Sequence, residues 1–294
     1  MPFLGELSAL LTAGLWTGSA LVFTAATVRA GSLGVNVTRL LLAAVYLGVF
    51  IVLMGFDVRA TAAQILLLSV SGIIGFAFGD SFLFRAFRDV GPRITMLIMS
   101  TAPAIAAILA YILLDETLSS WGIAGILVTL GGIAIVVLER NEGDDTPLEW
   151  QGILYAVLAA TGQGVGLIFA KMAFVQGEMN GFVATLVRVL AALVVMVPIG
   201  ISAARTSDTF RVLRTDRGAL GLTAVGAVLG PFLGVSFSLI AVAHTNVGIA
   251  ATIMATVPIL MLPPIHFLYK EKLSWKAIGG AVVAVAGVAI LFLR

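Results

Sequence analysis

A few ionisable residues stand inside otherwise apolar stretches of this chain, and they are the groups with which it could do chemistry: Arg39, Asp80, Lys171 and Arg188. A charge at membrane depth is costly unless it faces water, a counter-ion or a ligand, so each marks either a functional group or a buried pair. Asp80, next to Gly79, has the chemistry of a substrate-ammonium contact or a proton carrier. The competing reading puts it near the interface, paired with Arg85 or Arg88. Arg188, within the apolar run from Val183 to Val197, is suited to hold a substrate carboxylate. Arg39 stands at the matching place in an earlier run, which leaves a structural role at both helix starts as the alternative. Lys171 reads as a snorkelling residue at a helix end.

Neutral residues make up the rest of the expected site. Trp16, Phe78, Met99, Gln163, Phe232 and Met254 fall near the middle of apolar runs. Rings and methionines can line a pocket that accepts varied apolar side chains, although packing or lipid contact is the ordinary fate of each. Thr101, Thr256 and Ser236 offer hydroxyls to a substrate or to their own helix backbone. Pro103 and Pro258 each remove a backbone donor, which predicts kinks near Met99 and Met254 and hinges about which two halves rock. Glu116 and Glu271, followed by Ser119 and Ser274, read as charges and caps at the starts of the helices that follow.

Other chemistries find little support. The chain has no cysteine, which excludes disulfides and thiolate catalysis. His244 and His266 lie in different turns without a partner cluster, so no metal is expected. No motif for a cofactor is present, neither His-Glu-x-x-His nor a phosphate-binding glycine loop nor an Asp-rich prenyl-diphosphate motif. The sequon at Asn36 to Thr38 abuts an apolar run and carries no weight. An intramembrane enzyme using Asp80 as acid or base would need a second catalytic group that the sequence does not offer.

The elements that must position these residues are membrane helices. Hydrophobic residues make up 60% of the 294-residue chain and charged ones 11%, with a mean hydropathy of +1.12, which is far too apolar for a soluble globular protein. The net charge of +2 is spread over loop arginines and argues against nucleic acid as a partner. The first residues lack the basic region of a cleavable signal. About ten apolar runs fall near residues 3–27, 35–56, 62–84, 94–114 and 119–138, then 150–174, 181–203, 219–244, 248–269 and 274–293, each near the length that spans a bilayer. Their continuity and length exclude the alternation of a barrel and predict an all-α membrane protein.

One repeat organises these runs. Gly75 to Leu138 is written again from Gly230 to Leu293: Gly75, Gly79, Met99, Thr101 and Pro103 fall on Gly230, Gly234, Met254, Thr256 and Pro258. Glu116, Gly125 and Gly132 then meet Glu271, Gly280 and Gly287 in the same register. These glycines let helices approach closely, within one chain or across a homodimer. The domains are therefore residues 1–138, a polar linker 139–149, and 150–294. Five spans per unit is an odd number, so the units are expected to be inverted about an axis in the membrane plane, as in transporters. Assigning loops alternately puts Arg29, Arg39, Arg85, Arg88 and most other Lys and Arg on one side, against Arg59, Lys171 and Arg294 on the other. By the positive-inside rule the crowded side is cytoplasmic and both termini lie outside.

Met-x-Thr-x-Pro at Met99 to Pro103 and again at Met254 to Pro258, the Glu-x-Leu-Ser turns, the Gly-rich final helices and the paired Arg39 and Arg188 together resemble the EamA-type ten-helix branch of the drug/metabolite transporter superfamily, along essentially the whole chain. The resemblance implies export of amino acids or related small metabolites through a central cavity lined by helices 1 to 4 and 6 to 9, with helices 5 and 10 peripheral. YddG-like members move aromatic and other neutral amino acids; other branches carry nucleotide sugars, vitamins or quaternary compounds. It also implies a multi-pass protein of the bacterial inner membrane with both termini cytoplasmic, opposite to the arginine count. Flipping of a lipid-linked substrate is an alternative on the same fold. The particular solute, its coupling and the oligomeric state are left open at this level.

Overall fold

The computed structural model describes residues 3–117, 119–138, 149–204, 215–264 and 274–292, and every regular element among them is a helix. Helix α1 (Leu4–Ala30) and α2 (Ser32–Met54) each end on a glycine with positive φ, Gly31 at 77° and Gly55 at 64°, a conformation that other residues rarely adopt. Helix α3 (Ala62–Gly72) opens with a capping box between Thr61 and Gln64. It passes into a π-helical segment (Ile73–Gly79) and continues as α4 (Asp80–Asp89). Helices α5 (Gly91–Met99) and α6 (Ala102–Leu114) are followed by α7 (Ser120–Leu138). The second half runs α8 (Trp150–Val175), α9 (Gly181–Ala204), α10 (Arg217–Ala227), a π segment (Val228–Gly234) and α11 (Val235–His244). Helices α12 (Val247–Met254), α13 (Val257–Leu260) and α14 (Trp275–Phe292) complete it.

The sequence repeat has structural counterparts. Both π segments occupy matching positions, and each closes with the same wide hydrogen bond, from the N–H of Asp80 to the Gly75 carbonyl and from that of Val235 to the Gly230 carbonyl. A π turn is poorly packed around its own axis and persists where neighbours fill it, which fits a glycine pair in each segment. The helix interruptions also match, at Ser100–Thr101 and at Ala255–Thr256. Pro103 and Pro258 lie in the first turn of the helix that restarts, where a missing N–H has no intrahelical partner to lose. The breaks therefore precede the prolines.

Seven helices among the described residues are long and apolar enough to cross a membrane, and shorter apolar helices accompany them at Ile105–Leu114, Ser120–Gly132 and Ile278–Gly287. Their outward surface is apolar, with Val52, Leu66, Val194 and Trp275 among the exposed large side chains, as expected of a surface whose solvent is lipid. Inside, α1 and α8 each pack on the helices around them through fully buried alanines such as Ala9, Ala13, Ala156 and Ala160, which let backbones approach. Gly5 at the start of α1 touches Thr245 and His244, whereas Gly152 at the start of α8 touches Val90 and Asp89. Glu6 near the start of α1 and Lys171 near the end of α8 both bond Thr245, so the two halves begin at opposite ends of the bundle. Helices α7 and α14 pack together beside the rest: a Cβ on Gly132 would come within 2.4 Å of the Ala284 nitrogen, and one on Gly287 within 2.4 Å of the Thr129 nitrogen.

Candidate functional site

A central cavity lies between the halves. One part of it is lined by Trp16, Ser19, Ala20 and Phe23 of α1, Phe76, Asp80, Leu83, Phe84 and Phe87 along the third span, Arg39, Met96, Met99, Gln163, Gly230, Pro231 and Val235. An adjoining part shares Trp16, Met96, Met99 and Gln163 and adds Met254 and Pro258. The lining follows helical spacing: residues 16, 19, 20 and 23 form one stripe of α1, and 76, 80, 83, 84 and 87 another.

Asp80 and Arg39 form an ion pair on this wall, with side chains 14% and 5% exposed. Arg39 Nε also donates to Asn36 Oδ1 at 3.0 Å, and Asn36 Nδ2 donates to Ser81 Oγ at 3.1 Å, so the guanidinium is held in a polar network. Three rings surround it, with its Cζ 4.8 Å from the Phe84 centroid, 5.5 Å from Phe23 and 5.8 Å from Phe76. The expected partners of Asp80 are engaged elsewhere. Arg88 pairs with Asp89 at 2.8 Å, and Arg85 lies over Phe82 and Tyr155. Asp80 therefore pairs across helices, because α2 packs on α4 and brings Arg39 within reach.

Arg188 is treated differently. It is 2% exposed, its Cζ lies 4.7 Å from the centroid of the same Phe76 ring, and its Nε is buried without a hydrogen-bond partner. Two glycines of the third span make room for it. A Cβ on Gly72 would lie 2.1 Å from the Arg188 carbonyl oxygen, and one on Gly75 would lie 3.1 Å from Arg188 Nη2. Arg188 thus sits behind the cavity wall, one ring away from Asp80 and Arg39.

The end of the bundle where α1 begins is tied together across helices. Lys171 Nζ donates to the carbonyls of Val242 at 2.7 Å and Thr245 at 3.1 Å, and lies 3.5 Å from Glu116 Oε1. Glu116 Oε2 in turn accepts the N–H of Val247 at 2.9 Å. The cation meets the carboxyl end of α11 and the carboxylate the amino end of α12, each favoured by the helix dipole. Glu116 therefore caps a helix of the other half, not the one that follows it; that role falls to Ser119, whose Oγ accepts from Gly122 N. Lys171 is tied between carbonyls instead of snorkelling. Glu6 and Thr245 add a hydrogen bond of 3.1 Å at the same end, and Gln64 reaches the Gly177 carbonyl. Glu271 and His266 lie outside the described residues.

Of the residues singled out from the sequence, the structure brings Trp16, Asp80, Met99, Gln163, Met254 and Pro258 together around the cavity. Phe78 lies elsewhere, 43% exposed and packed edge-on against Phe82. Two residues from Asp80 is more than half a helical turn, so the two cannot share a face. Thr101, two residues after Met99, is exposed and bonds the Ile98 carbonyl. Phe232 belongs to a cluster with Tyr46, Phe50 and Phe182, and Ser236 is buried against Thr185, because each stands one position past the lining residues Pro231 and Val235. Sequence reading missed Phe23, Phe76, Phe84, Phe87 and Met96 as lining; stepping by three and four from Trp16 and Asp80 would have found the four rings. Among the described residues no three His, Cys, Asp or Glu side chains gather to hold a metal.

This arrangement can enclose a small amphipathic solute between rings and methionines and set an ion pair against it. Comparison with known proteins agrees with a carrier. No curated protein matches the chain at a significant level. One crystal structure of a protein superposes with a TM-score of 0.74 over 98% of this chain and 98% of its own at 16% identity, which shows a shared fold. The model of the EamA-like transporter family matches residues 3–138 and again 150–293, one match for each half. Two matches that take in nearly the whole sequence settle the family: the chain belongs to the EamA-like transporter family.

Proposed function

We propose that this protein exports small metabolites, neutral or aromatic amino acids fitting best, by alternating access through a ten-helix bundle of two inverted five-helix units. The observation that carries the reading is the central cavity between the halves, with Trp16, Phe23, Met99, Gln163 and Met254 among the residues that line its two parts. Rings and methionines suit an apolar side chain, and the Arg39–Asp80 pair with Arg188 behind it supplies charge for a polar head. The Lys171–Glu116 clasp ties helices of the two halves at the end where α1 begins, while the cavity lies toward the other end, the asymmetry that one stage of an alternating cycle requires. Pro103 and Pro258, after matched helix breaks, are the hinges of this reading. Placing the Lys- and Arg-rich end in the cytoplasm turns the cavity toward the compartment that export empties.

The experiment is counterflow in proteoliposomes, with a radiolabelled panel of amino acids, drug cations and nucleotide sugars and with or without a pH gradient. Saturable exchange of neutral amino acids is expected. Silence across the panel from folded protein would overturn the reading.

A further inference from the structure

Three charged side chains meet near the Phe76 ring, and they do not balance. Asp80 is taken by Arg39, whose Nε is also occupied by Asn36. Arg188 is buried just behind the same ring with its Nε unpartnered. Asp80 is the carboxylate whose charge acts on Arg188, and that carboxylate already has its guanidinium. Among the described residues, Glu116 and Glu6 lie at the clasped end, bound to Lys171 and Thr245, and Asp89 is held by Arg88. A guanidinium at membrane depth needs an anion, carbonyls or water, so the site as built is one negative charge short.

We propose that the missing charge arrives with the solute: the cavity selects amphipathic monocarboxylates, with the carboxylate drawn to Arg188 beside Phe76 and the apolar body among Trp16, Phe23 and Met99. This rests on the transporter reading above and narrows it. The ammonium group of an amino acid has no free carboxylate to meet, because Asp80 is occupied by Arg39 and the remaining polar lining is neutral, the hydroxyls of Ser19 and Ser100 and the Gln163 amide. The carboxylate is required and the amino group is optional. Phe76 is the positioning residue, since it touches the cavity and stacks on both guanidiniums.

The test uses three probes of one shape in the same proteoliposomes: phenylalanine, 3-phenylpropionate and phenethylamine. Counterflow of both carboxylates and exclusion of the amine is the expected result. Arg188→Gln should weaken both carboxylates by about tenfold or more, the effect of removing an uncompensated cation from behind the wall, and Arg188→Lys should recover part of it. Movement of phenethylamine at the rate of phenylalanine, or of phenylalanine without phenylpropionate, would overturn the proposal and leave the transporter reading standing. So would silence of all three while another solute of the wider panel moves. Silence of every solute would overturn both. The probe series is read on the unaltered protein, so a variant that fails to fold leaves the test intact.

Discussion

Arg39 and Arg188 stand at matching places in the two halves, and the structure gives them opposite circumstances. Each lies seven residues into its helix, α2 or α9, and each stacks on Phe76. Arg39 has a carboxylate because the residue that follows the first π segment is Asp80. Arg188 has none because the residue that follows the second is Val235. A repeat keeps its backbone devices in both copies, here the π segments and the helix breaks, where the bundle needs them twice. Its charges can diverge, since one site between the halves has to be charged only once. The departure from symmetry therefore marks the site more sharply than the symmetry does.

The largest effect should come from erasing the difference at Asp80. Asp80→Ala leaves two buried guanidiniums without a carboxylate, and breaking a buried pair costs about 3–5 kcal/mol. Thermal melts in detergent should fall accordingly and counterflow should be lost. Arg39→Ala should cost a similar amount, and the double variant much less than the sum of the singles. Should Asp80→Ala melt like the unaltered protein, the pair has no energetic weight and the contrast between the two arginines collapses. Asp80→Asn adds a second reading: if Asp80 carries a coupling proton, the amide abolishes any dependence of transport on a pH gradient.

Much of this fold was legible in the sequence because a repeat of glycines, Thr-x-Pro and Glu-x-Leu-Ser in one register can be read without coordinates. Gly75 and Gly79 match Gly230 and Gly234, and both pairs fall in π segments, although nothing in a glycine pair distinguishes a π turn from a close helix crossing. The site was only half legible. Asp80 was visible as a misplaced charge, whereas its partner is 41 residues away and is chosen by which helices pack. Arg85 and Arg88 were nearer in sequence, yet their positions turn them to Tyr155 and to Asp89. Phe78 stands out in the sequence by its depth in the bilayer and Thr101 by its hydroxyl, and neither property says anything of the helix face on which it lies. Depth and face are separate coordinates, and only the second needs the neighbours.

The contrast can also be erased from the other side. Val235 is buried, lines the cavity and stands where Asp80 stands in the first half, on a helix that packs against α9. Val235→Asp should give Arg188 an internal counter-ion. Carboxylate exchange should then fall by about tenfold or more, since the solute no longer supplies the missing charge, while stability stays within about 1 kcal/mol because the new carboxylate meets a cation. A melt lowered by several kcal/mol would mean that Arg188 does not reach this position and that its partner must come from the third span.

A smaller effect separates the two π segments themselves. Gly75→Ala would place a methyl 3.1 Å from Arg188 Nη2, the far end of a flexible side chain that can give way. Gly230→Ala would place one 2.7 Å from Ser19 Oγ and 3.1 Å from the Phe23 ring, both on the neighbouring helix α1. The first should stay within about 1 kcal/mol of the unaltered protein, since alanine also restrains the unfolded chain. The second should cost about 1–3 kcal/mol as overpacking. The informative readout for Gly75→Ala is therefore transport: if the guanidinium behind Phe76 positions a carboxylate, a methyl pressing on it should raise the half-saturating concentration of phenylpropionate and leave the melt nearly unchanged. Equal transport from Gly75→Ala and the unaltered chain would put Arg188 on the structural side of the ledger, alongside its glycine-packed backbone at Gly72.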